Sequence, residues 1–223
     1  MAGTIDVVST KVKSLKLWGD CATIAGMSAP SEPGRRERKK ARTRGAIADA
    51  ALRLFLARGF DDVTVAEVAD AADVSVTTVF NHFPSKEALV FDEEAEREEQ
   101  LLGAVRARPA DVDVLTALHR FVRSQVDRKA GSGAGELDHF IALVEASPVL
   151  RAYSQRMWSG YERSLALAVG QDAGLPGEDP RAAALAHVVI GTLGLDSPTP
   201  GEAVDAAFAL LRQGWPAVID DAL

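Results

Sequence analysis

The chain has 223 residues, of which 47% are hydrophobic and 26% charged, with a formal net charge of −7. That is ordinary globular material, long enough for one large domain or two small ones and too apolar to be disordered throughout. Cys21 is the only cysteine, which excludes an internal disulfide and a cysteine-built zinc site and accords with a reducing, cytoplasmic setting. No apolar run approaches the roughly 20 residues of a membrane helix, and Asp6, Lys11, Lys13, Lys16 and Asp20 interrupt any signal-peptide core, so a cytoplasmic protein with no membrane partner is expected.

The charge is unevenly spread. Residues 35–86 carry ten Lys and Arg against seven Asp and Glu, a net of +3, whereas residues 87–223 carry twelve against twenty-two, a net of −10. A small basic module thus precedes a larger acidic one, the asymmetry expected where one end of a chain meets a polyanion. The densest stretch, Arg35 to Arg44, includes Arg42 and Arg44, both candidates for contact with DNA phosphates.

Residues 1–34 mix weak periodicity with Gly19, Gly26, Pro30 and Pro33. They are expected to form a disordered N-terminal extension, unless Met27 is the true start and residues 1–26 precede it. From about Ala41 the pattern turns helical, with Ile47, Ala51, Leu54 and Phe55 on one stripe. Gly59 is placed to end that helix in a left-handed conformation, and Phe60 to pack back on it.

Thr64-Val65-Ala66-Glu67 has the form of a capping box, flanked by Val63 and Val68 as a hydrophobic staple. A short second helix should start at Val65. After Asp73-Val74, Ser75 can cap a third helix from Val76, which Pro84 limits by disfavouring helical geometry at Phe83. Ser85 can cap a fourth helix, predicted from Lys86 to about Ala107. Further helices are predicted near 111–129, 136–146, 147–170, 179–195 and 201–220, with no alternating strand anywhere. The expected fold class is all-α.

Two short helices joined by a tight turn form a helix-turn-helix, whose second helix is of a size to enter the major groove. Val74, Val79 and Phe83 anchor its interior, leaving Ser75, Val76, Thr77, Thr78, Asn81 and His82 outward. Ser and Thr hydroxyls suit bases or phosphates, Asn81 matches an adenine edge, and Val76 or the Thr77 methyl can touch a thymine methyl. No Arg stands on this face to read guanine, so indirect readout is expected to contribute. Lys86 and the N-termini of the second and fourth helices suit phosphates.

The run Gly59-Phe60 … Thr64-Val65-Ala66-Glu67-Val68-Ala69 … Ala72-Asp73-Val74-Ser75 … Thr78-Val79-Phe80-Asn81-His82-Phe83-Pro84-Ser85-Lys86-Glu87-Ala88-Leu89 closely resembles the N-terminal domain of TetR-family regulators, over about residues 41–90. The resemblance implies an all-α homodimer in which three N-terminal helices bind a double-stranded DNA operator and a variable C-terminal domain binds a small-molecule effector. It puts Thr64 and Val65 at the start of the supporting helix, Ser75 to His82 on the recognition helix, and Lys86 at a phosphate. Phe80 stands where the family usually has Tyr, and so lacks a hydroxyl that commonly contacts phosphate. Asp73 stands where Gly is usual in the turn, which is expected to add mild strain.

Residues 109–223 carry no catalytic motif. Gly131-Ser132-Gly133-Ala134-Gly135 has no strand before it and no Lys placed for a phosphate loop, so it is a linker. Glu136 and His139 have Glu-x-x-His spacing but no second pair, and no metal or other cofactor is expected. Phe121, His139, Phe140, Trp158 and Tyr161 are the candidate effector-binding residues, any of which an ordinary helical core would also use. The last two helices, through Ala182, Ala183, Leu185, Ala186, Val189, Ile190 and Leu193 and then Val204, Ala207, Phe208, Leu211 and Trp215, are expected to dimerise.

The chain is accordingly read as an extension (1–34), a helix-turn-helix DNA-binding domain (35–85) and a ligand-binding and dimerisation domain (86–223). The expected function is a sequence-specific repressor released from a palindromic operator by a small hydrophobic ligand, not an enzyme. The competing readings are a helical enzyme or carrier with a relic DNA-binding unit, and a protein-binding helical module.

Overall fold

Gly34 begins the part of the chain that a computed structural model describes, which comprises residues 34–92, 94–131, 134–195 and 197–220, with side chains outside 129–137 and 215–220. Expectations for residues 1–33, and for the side chains of Glu136 and Trp215, fall outside it. Nine α-helices and one 3₁₀ turn make up the described residues, without a strand. They are α1 (Arg35–Arg58), α2 (Val65–Ala71), α3 (Val76–His82), the 3₁₀ turn (Glu87–Leu89), α4 (Glu94–Arg106), α5 (Val114–Gly131), α6 (Ala134–Ala146), α7 (Pro148–Asp172), α8 (Pro180–Thr192) and α9 (Pro200–Asp220).

The first helix starts six residues before the periodicity announces it, because the basic run is itself helical from Arg35. Apolar periodicity shows a helix only where one face is buried, and before Ile47, Ala48, Ala50, Ala51 and Phe55 only Thr43 and Arg44 of α1 are even half-buried. Gly59 stops it, though not as expected: its φ of 90° and ψ of 155° are extended rather than left-handed helical, a region open essentially to glycine alone. Its N–H still closes the ladder onto the Phe55 carbonyl at 2.8 Å. The turn then brings the Phe60 ring to 5.1 Å from that of Phe55.

At α2 the capping box is complete. Thr64 Oγ1 accepts from the Glu67 N–H at 3.2 Å, and Glu67 Oε2 accepts from the Thr64 N–H at 2.7 Å. Val63 and Val68, the staple pair, are both fully buried. Asp73 then adopts φ 53°. Its own N–H bonds the Asp70 carbonyl and that of Val74 bonds Ala69, which is a Schellman end with an aspartate in the position glycine usually takes.

The predicted fourth helix is divided. Ser85 Oγ accepts from the Ala88 N–H at 3.3 Å but caps only the 3₁₀ turn, and α4 begins at Glu94. The break has a packing cause. Phe91 is buried between the Tyr153 ring, stacked at 5.2 Å, and the Phe140 ring, edge-on at 6.1 Å, while the Asp92 carbonyl accepts from Arg44.

Beyond α4 the predicted and observed helices agree to within a few residues. Helices α7 and α8 pack together most extensively, α9 lies on α5, and α4 is held between α5 and α7. On α5, His119 bonds Asp205 of α9 at 2.7 Å and stacks on Phe208, so this histidine is satisfied within the bundle. One continuous apolar core runs from Ile47 in the head to Phe208 in α9. No helix of the described residues is long and apolar enough to cross a membrane, and no group of three or more His, Cys, Asp or Glu among them is placed to hold a metal.

The apolar residues expected to make a dimer are mostly spent within the chain. Ala182, Leu185, Ala186, Val189, Ile190, Leu193, Val204 and Phe208 are all buried in their own fold. Among the described side chains, the large apolar ones left outward near α8 and α9 are Val188, Leu195 and Leu210, the last 70% exposed.

Candidate nucleic-acid interface

The recognition helix α3 has about two turns of sequence to divide between core and surface. Val79 and then Phe83, at its C-cap, point inward and are at most 1% exposed. Ser75, Val76, Thr77, Phe80 and Asn81 are exposed, and Thr78 is half-buried. Ser75 and Thr78 are partly committed: Ser75 Oγ accepts from the Thr78 N–H at 3.1 Å, and the two hydroxyls lie 2.8 Å apart. Thr64 is exposed and Val65 half-buried at the start of α2, with the Thr64 hydroxyl donating to Glu67 Oε2 at 2.8 Å.

Glu67 is also held by Arg58, whose Nη1 lies 2.7 Å from Oε1. The Thr64 N–H, then Arg58 and the Thr64 hydroxyl, bring its carboxyl down to about 2, so the cap is charged across the neutral range. This network locks the entry of the helix-turn-helix.

Two of the basic residues expected at phosphates are turned inward. The Arg44 guanidinium donates to the His82 carbonyl at 2.6 Å and to the Asp92 carbonyl, and lies over the Phe83 ring. Lys86 Nζ donates to the Phe60 carbonyl at 2.7 Å and sits 4.2 Å from the Phe60 ring centre. Both make better use of carbonyls left over at helix ends than of solvent. Arg42, by contrast, is exposed on α1. His82 is half-buried, and burial, with the charges of Lys40 and Arg44, holds its imidazole below the ordinary histidine value.

Of the effector candidates, Phe121, Phe140, Trp158 and Tyr161 are buried and His139 is exposed at the surface of α6, outside the interior the others share. Trp158 and Tyr161 meet edge-on at 5.4 Å, whereas Phe140 belongs to the Phe91 seam. Sequence reasoning named Trp158 but missed Gln100, Gln125 and Ser154 as buried polar residues. Gln125 is fully buried with its Nε2 unpartnered, and Ser154 Oγ, Trp158 Nε1 and Gln100 Oε1 are likewise buried without a hydrogen-bond partner. Lone polar residues on apolar helices carry no periodic signal that distinguishes them from surface positions.

Helix α4 is tethered from α7. Tyr153 Oη donates to Glu94 Oε2 and Tyr161 Oη to the Glu94 carbonyl, both at 2.7 Å, and burial pushes both phenols up. Beside them opens a cleft of about 230 Å³ lined by Glu94, Glu98, Tyr153, Arg156, Met157, Gly160 and Tyr161.

Comparison with known proteins agrees with this geometry. The sequence profile described as "Bacterial regulatory proteins, tetR family" matches residues 47–92. The "HTH-type transcriptional regulator TcmR" of Streptomyces glaucescens is 33% identical over 162 residues, covering 70% of this chain and 72% of that one. The "Putative mycofactocin biosynthesis transcriptional regulator MftR" of Mycobacterium tuberculosis is 27% identical over 79% of this chain and 93% of its own. Among solved structures, NalD of Pseudomonas aeruginosa shares the fold, with a TM-score of 0.51 and 19% identity over 79% of this chain and 97% of that one. With a capped helix-turn-helix, an all-helical C-terminal bundle and a regulator of a third identity across most of its length, the chain belongs to the TetR family of DNA-binding transcriptional regulators.

Proposed function

We propose that the protein is a dimeric repressor whose head, residues 35–85, binds a palindromic operator and whose remaining helices, residues 86–223, dimerise and bind a small, mostly apolar effector that weakens DNA binding. The observation that carries this reading is the outward face of α3, with Val76, Thr77, Phe80 and Asn81 exposed on a helix anchored on its other side by buried Val79 and by Phe83 at its C-cap. Exposed Arg42 on α1 supplies positive charge for phosphates. A dimer seated on promoter DNA represses by occupancy alone, the simplest output of such a face.

Val188 and Leu210, on α8 and α9, and Leu195 between them support dimerisation there, since large apolar side chains left exposed favour burial against a second copy. The effector reading is supported by the unpartnered Gln100, Gln125, Ser154 and Trp158 groups on α4, α5 and α7, because buried polar groups in a native core are ordinarily satisfied. A ligand received among these helices would push on α4. Its first residue, Glu94, hangs from Tyr153 and Tyr161, and the adjoining Asp92 carbonyl is tied through Arg44 to the end of α3. The two heads then lose their match to successive major grooves, and a ligand preference of a few kcal/mol for the shifted geometry suffices for release.

The test is a fluorescence-anisotropy titration of the full chain with the DNA upstream of its own gene against a shuffled duplex of equal composition, followed by a thermal-shift screen of hydrophobic metabolites. Equal affinity for the two duplexes would refute the operator reading. A metabolite that raises the melting temperature should also lower operator affinity; stabilisation with unchanged affinity would remove the effector's regulatory role.

A further inference from the structure

Val76 and Phe80 are 40% and 50% exposed, while Val63, Val68, Val79 and Phe83 in the same head are at most 1% exposed. Four residues apart on α3, the two share one face of the helix, and Thr77 and Asn81 form a second row beside them with the same spacing. The reading surface is therefore an apolar row next to a polar row. Ser75 and Thr78 are bonded to one another, so Thr77 and Asn81 supply the uncommitted polar groups of that surface. The helix, Val-Thr-Thr-Val-Phe-Asn-His, holds no Arg, Lys, Asp or Glu.

We propose that Val76 and Phe80 are specificity-determining residues that read thymine 5-methyl groups, so that each operator half-site is recognised through A·T pairs by apolar contact beside an asparagine rather than through guanine by arginine. The proposal rests on the operator-binding reading above. Thymine is the one base that presents an apolar group to the major groove, and the same A·T pair offers the adenine N6 and N7 edge that an asparagine amide matches in two bonds. A row of Val and Phe beside a row of Thr and Asn is complementary to that pairing of methyl and amide edge. It has no Arg or Lys to hold guanine O6 and N7 in two bonds. Phe80 has no hydroxyl with which to hold a phosphate, and its ring can contribute only by covering apolar surface.

The experiment starts from a randomised duplex pool, from which the full-length protein selects its own sites. Half-sites enriched in thymine are expected. Deoxyuridine is then substituted for each enriched thymine in turn, removing a methyl and nothing else, with the wild-type protein as the reader. At one or two positions per half-site the Kd should rise about fourfold, the effect of exposing one buried methyl. Phe80→Ala or Val76→Ala should abolish that thymine-to-uracil difference, whereas Asn81→Ala should weaken binding and leave the difference in place. Both apolar side chains are well exposed, so unchanged circular dichroism and melting temperature are expected of these variants. If sites are selected but uracil is tolerated everywhere, methyl reading is overturned while DNA recognition stands. If no sequence is enriched, both readings fall together.

Discussion

The Arg44 guanidinium lies 4.3 Å from the centre of the Phe83 ring, clasping the end of the recognition helix from the middle of α1. From that position it donates to the carbonyls of His82 and Asp92, and so joins three segments: the first helix, the DNA-reading helix and the link to α4. A residue expected from its charge to meet DNA phosphates thus becomes the joint between the head and the bundle.

Arg44→Ala is accordingly expected to destabilise the fold by about 2–3 kcal/mol, from the loss of two charge-assisted hydrogen bonds and a cation–π contact. Arg44→Lys should recover little of this, since an ammonium cannot span two carbonyls as a guanidinium fork does. Urea unfolding of the two variants measures both, and full stability in the alanine variant would show the clasp to be without consequence.

Lys86 is half-buried against Phe60, with its ammonium on the Phe60 carbonyl. Lys86→Ala should therefore cost about 1–2 kcal/mol of stability while leaving the salt dependence of operator binding almost unchanged. A slope of log Kd against log salt that drops by about one would instead restore Lys86 to the phosphate contacts.

Asp73 occupies a left-handed conformation, φ 53°, at the end of α2, where a side chain is strained and glycine is not. Asp73→Gly is expected to stabilise the protein by about 0.5–1 kcal/mol and to leave α3 in place. Thermal unfolding monitored by circular dichroism tests it, with a fall in melting temperature as the contrary result.

The capping box has a pH signature. Glu67 titrates at about 2 in the folded chain and near 4.5 when unfolded, so its contribution is fully present above about 4.5 and is lost as pH falls through the folded value. Melting temperatures of the wild type and of Glu67→Gln, measured from pH 7 down to pH 2, should converge at the acid end. A constant gap would mean that the carboxylate charge plays no part in the cap.

Much of the helix-turn-helix was legible because its devices act within one helical turn. Thr64 with Glu67, Val63 with Val68, Ser75 with Thr78 and the stop at Gly59 each join residues five or fewer apart, so local spacing was enough to find them. The break between the 3₁₀ turn and α4 was not legible, because it follows from Phe91 packing on rings from α6 and α7. Nor were the inward faces of α8 and α9: an apolar stripe shows that a face is buried without showing against which partner.

By itself, then, the sequence determined an all-helical chain with a capped helix-turn-helix and the set of side chains available on α3, since backbone capping and helical periodicity are short-range physics. Only the tertiary structure decided how the long cationic and phenolic side chains are used. Arg44 reaches a carbonyl 48 residues away, Lys86 one 26 residues away and Tyr161 one 67 residues away. A flexible side chain chooses between solvent, phosphate and an orphan carbonyl according to which helix end the fold brings within reach, and that choice exists only once the helices are packed.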